Sequence, residues 1–335
     1  MSTKRVIGDL ELEVFDINAH SLRGRNFYKG IVDYRKEIIP KHKHLNKKDE
    51  DFSCVLCGHT DGQEFLEWKE SEYKLFRCKK CDAVSPNIAS GVSSYTESVY
   101  DTDVYVEKLF RETHSHYEYR KNTFGKERYQ YTIERLGLTT KAKVLDLGCG
   151  AGYYIDVLKD NAIEYKGLEV ADHFVEYCKS YHELNVENSS LEDERDGEYD
   201  LITMFDVLEH LADPVETFLT INKKLKDGGY CVAYTPNIFS LGFELMGAKQ
   251  NCLLPYEHLC FFNDKSLDFL VNKTGFKVEK LEVFGLDIMD YLLLKEYEDG
   301  IDYTEKLQDL TKLLQAVLDK NNIGNHFRIT FKKTS

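Results

Sequence analysis

The sequence predicts an α/β fold, a largely parallel sheet with helices on both faces, preceded by a small β-rich module. Three observations carry that expectation. Between 143 and 234, short apolar runs alternate with helical patterns, and such alternation builds βαβ units. The run Val144-Leu145-Asp146-Leu147 leads into a turn bearing Gly148, Gly150 and Gly152, as where a strand passes into a helix beside a ligand. Ahead of both, Cys54, Cys57, Cys78 and Cys81 form two C-x-x-C pairs, the spacing of a tetrahedral four-thiolate metal shell.

Composition narrows the function. With 335 residues the chain has about two domains' worth of length. Its net charge of −14 opposes a nucleic-acid partner. No apolar run approaches the roughly 20 residues that span a bilayer, and the N-terminus lacks the apolar core of a secretory leader. Nine cysteines, an odd number, fit a reducing cytoplasm with metal ligation better than a disulfide framework.

The elements follow in order. Residues 1–51 are a polar extension, and the charge run 33–51 reads as a solvated linker. Residues 52–90 form the four-cysteine zinc-ribbon module, with "EFLEWKES" and "YKLFRCKKC" as short strands. Residues 91–140 read as a helical cap, and 141–335 as the α/β domain. Its strands are expected at 143–147, 165–169, 200–205 and 229–234, with helices near 152–160, 172–181 and 214–226. Asp213, Pro214 and Glu216 give the last helix a clear start. The stretch 237–263 is apolar and aromatic without a period, as in a lid or binding loop. A helix at 264–274, a strand at 276–283, a helix at 303–320 and a strand at 326–333 close the chain. Leu307, Leu310, Leu314 and Leu318 in the late helix are expected to pack into the core, with a homodimer contact as the alternative.

The glycine turn has the spacing G-x-G-x-G after an acid. A dinucleotide fingerprint needs G-x-G-x-x-G, and a phosphate loop ends in G-K-[ST]. An acid before the turn would repel a pyrophosphate and suit a ligand with a cationic or amino group. "VLDLGCGAGYY" resembles the first motif of class I S-adenosylmethionine-dependent methyltransferases. "YKGLEV", "SSLEDE", "YDLITMFDVLEHLADP", "GGYCVAYTPN" and "EHLCFFNDKSLDFLVNKTGF" follow in that family's order, across roughly 130–283. The resemblance implies a Rossmann-like class I methyltransferase sheet and S-adenosyl-L-methionine as cofactor. It implies that Asp146, Gly148, Gly150 and Gly152 hold the methionyl end and that Glu169 holds the ribose. Leu191, Glu192 and Phe205 would flank the adenosyl group. Arg120 could pair with the methionyl carboxylate, or lie on a solvated helix face.

Asp206, Glu209 and His210 stand at i, i+3, i+4, and would share a face if they form one helical turn. His258, in the insertion, could fold over that face. The segment resembles a Glu-x-x-Glu-His motif of ubiquinone-pathway and small-RNA methyltransferases, with Asp206 replacing the first Glu. Three readings stay open. His210 or His258 is a general base for a hydroxyl acceptor. Alternatively Asp206, Glu209, His210 and His258 bind a divalent metal such as Mg2+. In the third, the residues are architectural.

The four cysteines suit structural Zn2+, with an iron–sulfur centre as the rival. A zinc-knuckle module ahead of such a domain resembles bacterial sugar methyltransferases. The expected function is therefore O-methylation of a sugar or sugar-linked small molecule. The alternatives are a quinone-like or other small aromatic acceptor, RNA 2′-O-methylation, and a non-catalytic zinc-ribbon protein with a retired methyltransferase domain.

Overall fold

The computed structural model describes residues 2–7, 9–24, 26–68, 72–88 and 114–334. Much of the expected helical cap, 91–113, lies outside these residues.

Seven strands form the central sheet. They are β6 (Lys143–Leu147), β7 (Glu164–Leu168), β8 (Val186–Glu187), β9 (Tyr199–Phe205), β10 (Leu225–Pro236), β11 (Phe276–Phe284) and β12 (His326–Lys333). Across the sheet they run in the order β11-β12-β10-β9-β6-β7-β8. Strands β6 to β10 pair in parallel, and β12 is antiparallel to β10 and β11. The central strands are buried on both faces, which is why they read as apolar runs without alternation.

A long helical stretch, α2 (114–134), precedes β6 and packs on α3 (Tyr153–Asp160). The next helices are α4 (Asp172–His182) and α5 (Pro214–Lys224). Asp213 caps α5 as expected, its Oδ1 accepting from the Glu216 amide at 2.9 Å. Helix α7 (Asp264–Thr274) starts with a reciprocal Asn263–Ser266 cap.

Several expectations need correction. The extension is not a solvated linker. It forms a hairpin, β1 (Ser2–Ile7) with β2 (Leu10–Phe15), then a helix, α1 (Phe27–His42). Arg35 of α1 is buried and donates to the carbonyls of Lys249, Gln250 and Leu253. The charge run 33–51 is thus partly the second half of that helix and partly the two short turns, 43–45 and 49–51, that follow it.

The cysteine module is a three-stranded sheet of β3 (Gly62–Trp68), β4 (Tyr73–Cys78) and β5 (Val84–Pro86). Its Phe52, Cys54, Cys78 and Cys81 bury in one cluster with Ile202, Cys260 and Phe262 of the larger domain. The insertion 237–263 is largely buried and contains a short helix, α6 (Leu241–Met246). Helix α8 (Asp287–Asp299) had no clear sequence signal.

The expected helix 303–320 breaks at Gln308, whose φ is +44°, into α9 (Tyr303–Leu307) and α10 (Asp309–Lys320). The break rotates the leucine stripe. Leu310 and Leu314 are exposed, while Ala316, with Leu313 and Val317, packs on Leu12 and Val14 of β2. Among the described residues no helix is long and apolar enough to cross a membrane.

Candidate active site

The glycine turn joins β6 to α3 at the carboxyl edge of the sheet. Gly148, Gly150 and Gly152 have φ of +68°, +53° and +83°, values that side chains rarely adopt. A Cβ on Gly148 would sit 2.5 Å from Val207 Cγ2, whereas one on Gly150 would meet nothing within 4 Å. The turn is thus close-packed on the sheet side and open above Gly150. That open cradle fits a ligand lying against backbone.

Two acids flank it. Asp146 is buried within the sheet, and Thr203 Oγ1 donates to its Oδ1 at 2.7 Å. Burial pushes its carboxyl up to about 7, with the Thr203 bond acting in the opposite direction. A cationic ligand group nearby would draw it back to the charged form. Glu169, just beyond β7, accepts from the amides of Gly150 (2.7 Å) and Ala171 (3.0 Å). Those bonds fix its carboxylate beside the turn. Leu191 is buried, Glu192 accepts from the Ser190 hydroxyl, and Phe205 ends β9. These are the positions that the sequence resemblance assigns to S-adenosylmethionine. Arg120 instead turns to the N-terminal extension, donating to the Leu22 carbonyl at 3.3 Å.

The Asp-x-x-Glu-His segment does not form one shared face. Asp206 has a φ of +60°, and only Leu208–His210 is helical, as a single 3-10 turn. That left-handed residue swings Asp206 away from its neighbours, toward Arg128 Nη2 at 3.2 Å and His326 Nε2 at 3.7 Å. Glu209, His210 and His258 do meet, with ligand atoms within 4.8 Å of one another. Glu209 is buried and accepts from Thr235 Oγ1 at 2.9 Å. His210 Nδ1 donates to the Glu257 carbonyl at 3.0 Å. Burial holds the His210 ring down to about 4 and the His258 ring well below its usual range. Two imidazoles and one carboxylate do not fit Mg2+, which takes oxygen ligands.

A cavity of about 630 Å3 opens on the other side of Asp206. Arg128, Tyr234, Phe284 and His326 line it, with residues of the N-terminal extension and of α8 to α10. His210, Glu209 and His258 do not. Arg128 stacks over the Phe205 ring at 4.3 Å, so one residue links the end of β9 to the cavity. Neither Arg128 nor His326 sits in a sequence motif. Only their place at the sheet edge reveals them.

The four cysteine sulfurs lie within 4.8 Å of one another, with Cys54–Cys81 at 3.5 Å and Cys57–Cys78 at 3.6 Å. A tetrahedral zinc shell has sulfur–sulfur edges of about 3.8 Å, so the set is preformed. Within the module Arg77 pairs with Asp82 and Lys79 with Asp61.

Comparison with known proteins finds methyltransferases. A methyltransferase-domain family matches residues 119–281. The ubiquinone biosynthesis O-methyltransferase of Nitrosospira multiformis is 28% identical over 168 residues, 46% of this chain and 70% of that protein. The enzyme of that name from Marinobacter nauticus is 26% identical over 170 residues, 46% of this chain and 71% of that one. A solved S-adenosylmethionine-dependent methyltransferase from Archaeoglobus fulgidus aligns at 23% identity and a TM-score of 0.45, covering 65% of this chain and 94% of that one. Fold, cradle and family match together define a class I S-adenosylmethionine-dependent methyltransferase domain. The chain is accordingly an enzyme of methyl transfer.

Proposed function

We propose that this methyltransferase O-methylates a small hydroxylated acceptor of aromatic or quinone-like class, held in the cavity beside Asp206. The observation that carries the reading is adjacency. Arg128 and Asp206 line the 630 Å3 cavity, and Arg128 stacks on Phe205 at the end of β9, the strand paired with β6 and its glycine turn, which suits transfer between two bound molecules. The relatives named above act, by their names, in ubiquinone biosynthesis. They favour an aromatic acceptor over the sugar expected from the zinc knuckle. Cavity charge points the same way. Eight carboxylate side chains and four of Lys or Arg line it, an environment that disfavours a nucleotide-linked sugar. Phe15, Phe124 and Phe284 supply an apolar side.

Bound S-adenosylmethionine supplies an electrophilic methyl group on a sulfonium. Asp146 and the glycine turn hold its methionyl end, Glu169 its ribose, and Leu191, Glu192 and Phe205 its adenosyl group. Most of the acceleration then comes from positioning of the acceptor oxygen. We assign Glu209, His210 and His258 an anchoring role, since the Leu259 and Cys260 amides donate to the Glu209 carbonyl at 2.7 and 3.1 Å. The four cysteines hold structural Zn2+ in this reading. Glu169→Ala should abolish the calorimetric signal of cofactor binding while circular dichroism is unchanged. Wild-type protein should convert catechol to its monomethyl ether. Retained affinity in the variant would remove the cofactor assignment, and no methylation of catechol or other diphenols would remove the acceptor class.

A further inference from the structure

The cavity holds one imidazole whose tautomer the structure fixes. His326 opens β12, paired with Phe284 of β11 and Pro236 of β10. Its Nδ1 lies 2.9 Å from Asn325 Oδ1. That oxygen also accepts from the Leu286 amide at 3.1 Å, and the Asn325 Nδ2 donates to Asp290 Oδ2 at 3.2 Å. An amide oxygen only accepts, so the proton sits on Nδ1. Asn325 is fully buried, its own amide donating to Asp287 Oδ2 at 2.8 Å, so the ring is held from behind. The remaining lone pair, on Nε2, faces Asp206 Oδ1 at 3.7 Å, too far for a direct bond. Asp206 is itself half exposed and held by Arg128.

We propose that His326 is the general base for the acceptor, with Asp206 and Arg128 as positioning residues and Asn325 fixing the ring. This rests on the O-methylation reading above. The acceptor hydroxyl sits in the space between Nε2 and Asp206. As the acceptor oxygen bonds to the methyl carbon, its proton passes to Nε2. The carbon–sulfur bond breaks, its electron pair staying on sulfur as a neutral thioether. The imidazolium, stabilised by Asp206, later returns its proton to water. Asp206 and Asp290 face the ring with Arg23 and Arg128, acids against cations, and burial leaves its basicity below that of a free histidine. A neutral ring near pH 7 is the form a base requires. His210 and His258, the sequence candidates, do not line this cavity.

Two measurements test the assignment on the full-length protein. His326→Gln should lower catechol methylation at least about 100-fold and remove the acidic limb of the kcat/KM profile. Its S-adenosylmethionine affinity by calorimetry should stay within about twofold. A rate within about threefold of wild type, or loss of activity in His210→Gln alone, would overturn it. Long-range proton–nitrogen NMR of the wild type, with the His326 signal assigned by its loss in His326→Gln, should show the Nδ1–H tautomer at about pH 7.5. An imidazolium or the Nε2–H tautomer would overturn it whatever the acceptor. A wild type silent on catechol counts against the aromatic acceptor, and the tautomer then decides the base by itself.

Discussion

Asp146 carries a pH signature at the level of single residues. Its carboxyl is pushed up to about 7 by burial, against 3.8 for an ordinary aspartate. The folded state therefore holds a proton that the unfolded state releases. Stability without cofactor is highest below the ordinary value and falls as pH rises from about 4 to 7. Thermal unfolding across that range should show a shallower slope in Asp146→Asn than in wild type, the remainder coming from other buried carboxylates such as Asp319 and Glu257. A cationic cofactor group favours the charged form, so binding near pH 7 should release protons. Calorimetry in phosphate and in Tris should give different apparent enthalpies, and equal enthalpies would contradict the linkage. The glycines separate in the same way. Gly148→Ala combines a left-handed backbone cost of about 1–2 kcal/mol with the clash against Val207. Gly150→Ala carries only the backbone cost, so chemical denaturation should rank Gly148→Ala as the more damaging.

These residues were legible because chemistry is spaced regularly along the chain there. Asp146, the glycines and Glu169 lie at the ends of consecutive strands, and the order of motifs reports the order of the sheet. The segment from Asp206 was legible as important but not in its geometry. One positive φ, invisible in the sequence, turned Asp206 toward Arg128 and His326. His326 itself carries no local signal, since β12 reaches the site only through antiparallel pairing with β10.

At the scale of elements, the strand pattern was readable and the extension was not. Parallel strands buried on both faces announce themselves as apolar runs. Helix α1 mixes apolar and charged residues, and beside the buried Tyr28, Ile38 and His42 it is attached by a buried arginine that looks like a surface residue in the sequence. Arg35→Met should cost about 3 kcal/mol, because three carbonyls would lose a charged donor, and denaturant titration will measure it. The cysteine module was legible as a metal site but not as part of the core. Val84 and Phe261 exchange backbone bonds at 3.0 and 2.8 Å, and the same segment reaches the Glu209 carbonyl. Cys78→Ser, or chelation, should therefore lower the melting temperature of the whole protein in one transition. A separate early transition with the methyltransferase sheet unaffected would show that the module stands alone.

The molecule as a whole divides donor and acceptor between different parts of the chain. The family match covers residues 119–281, just under half of the 335. Most of the cavity wall lies outside it, from Glu13 to Arg23 on one side and from Phe284 to His326 on the other. The donor-binding half thus matches a family, while the two flanks beyond it carry most of the proposed acceptor wall and the proposed base His326. Exchange of these flanks between related enzymes would redirect the methyl group to a new recipient and leave the donor machinery intact.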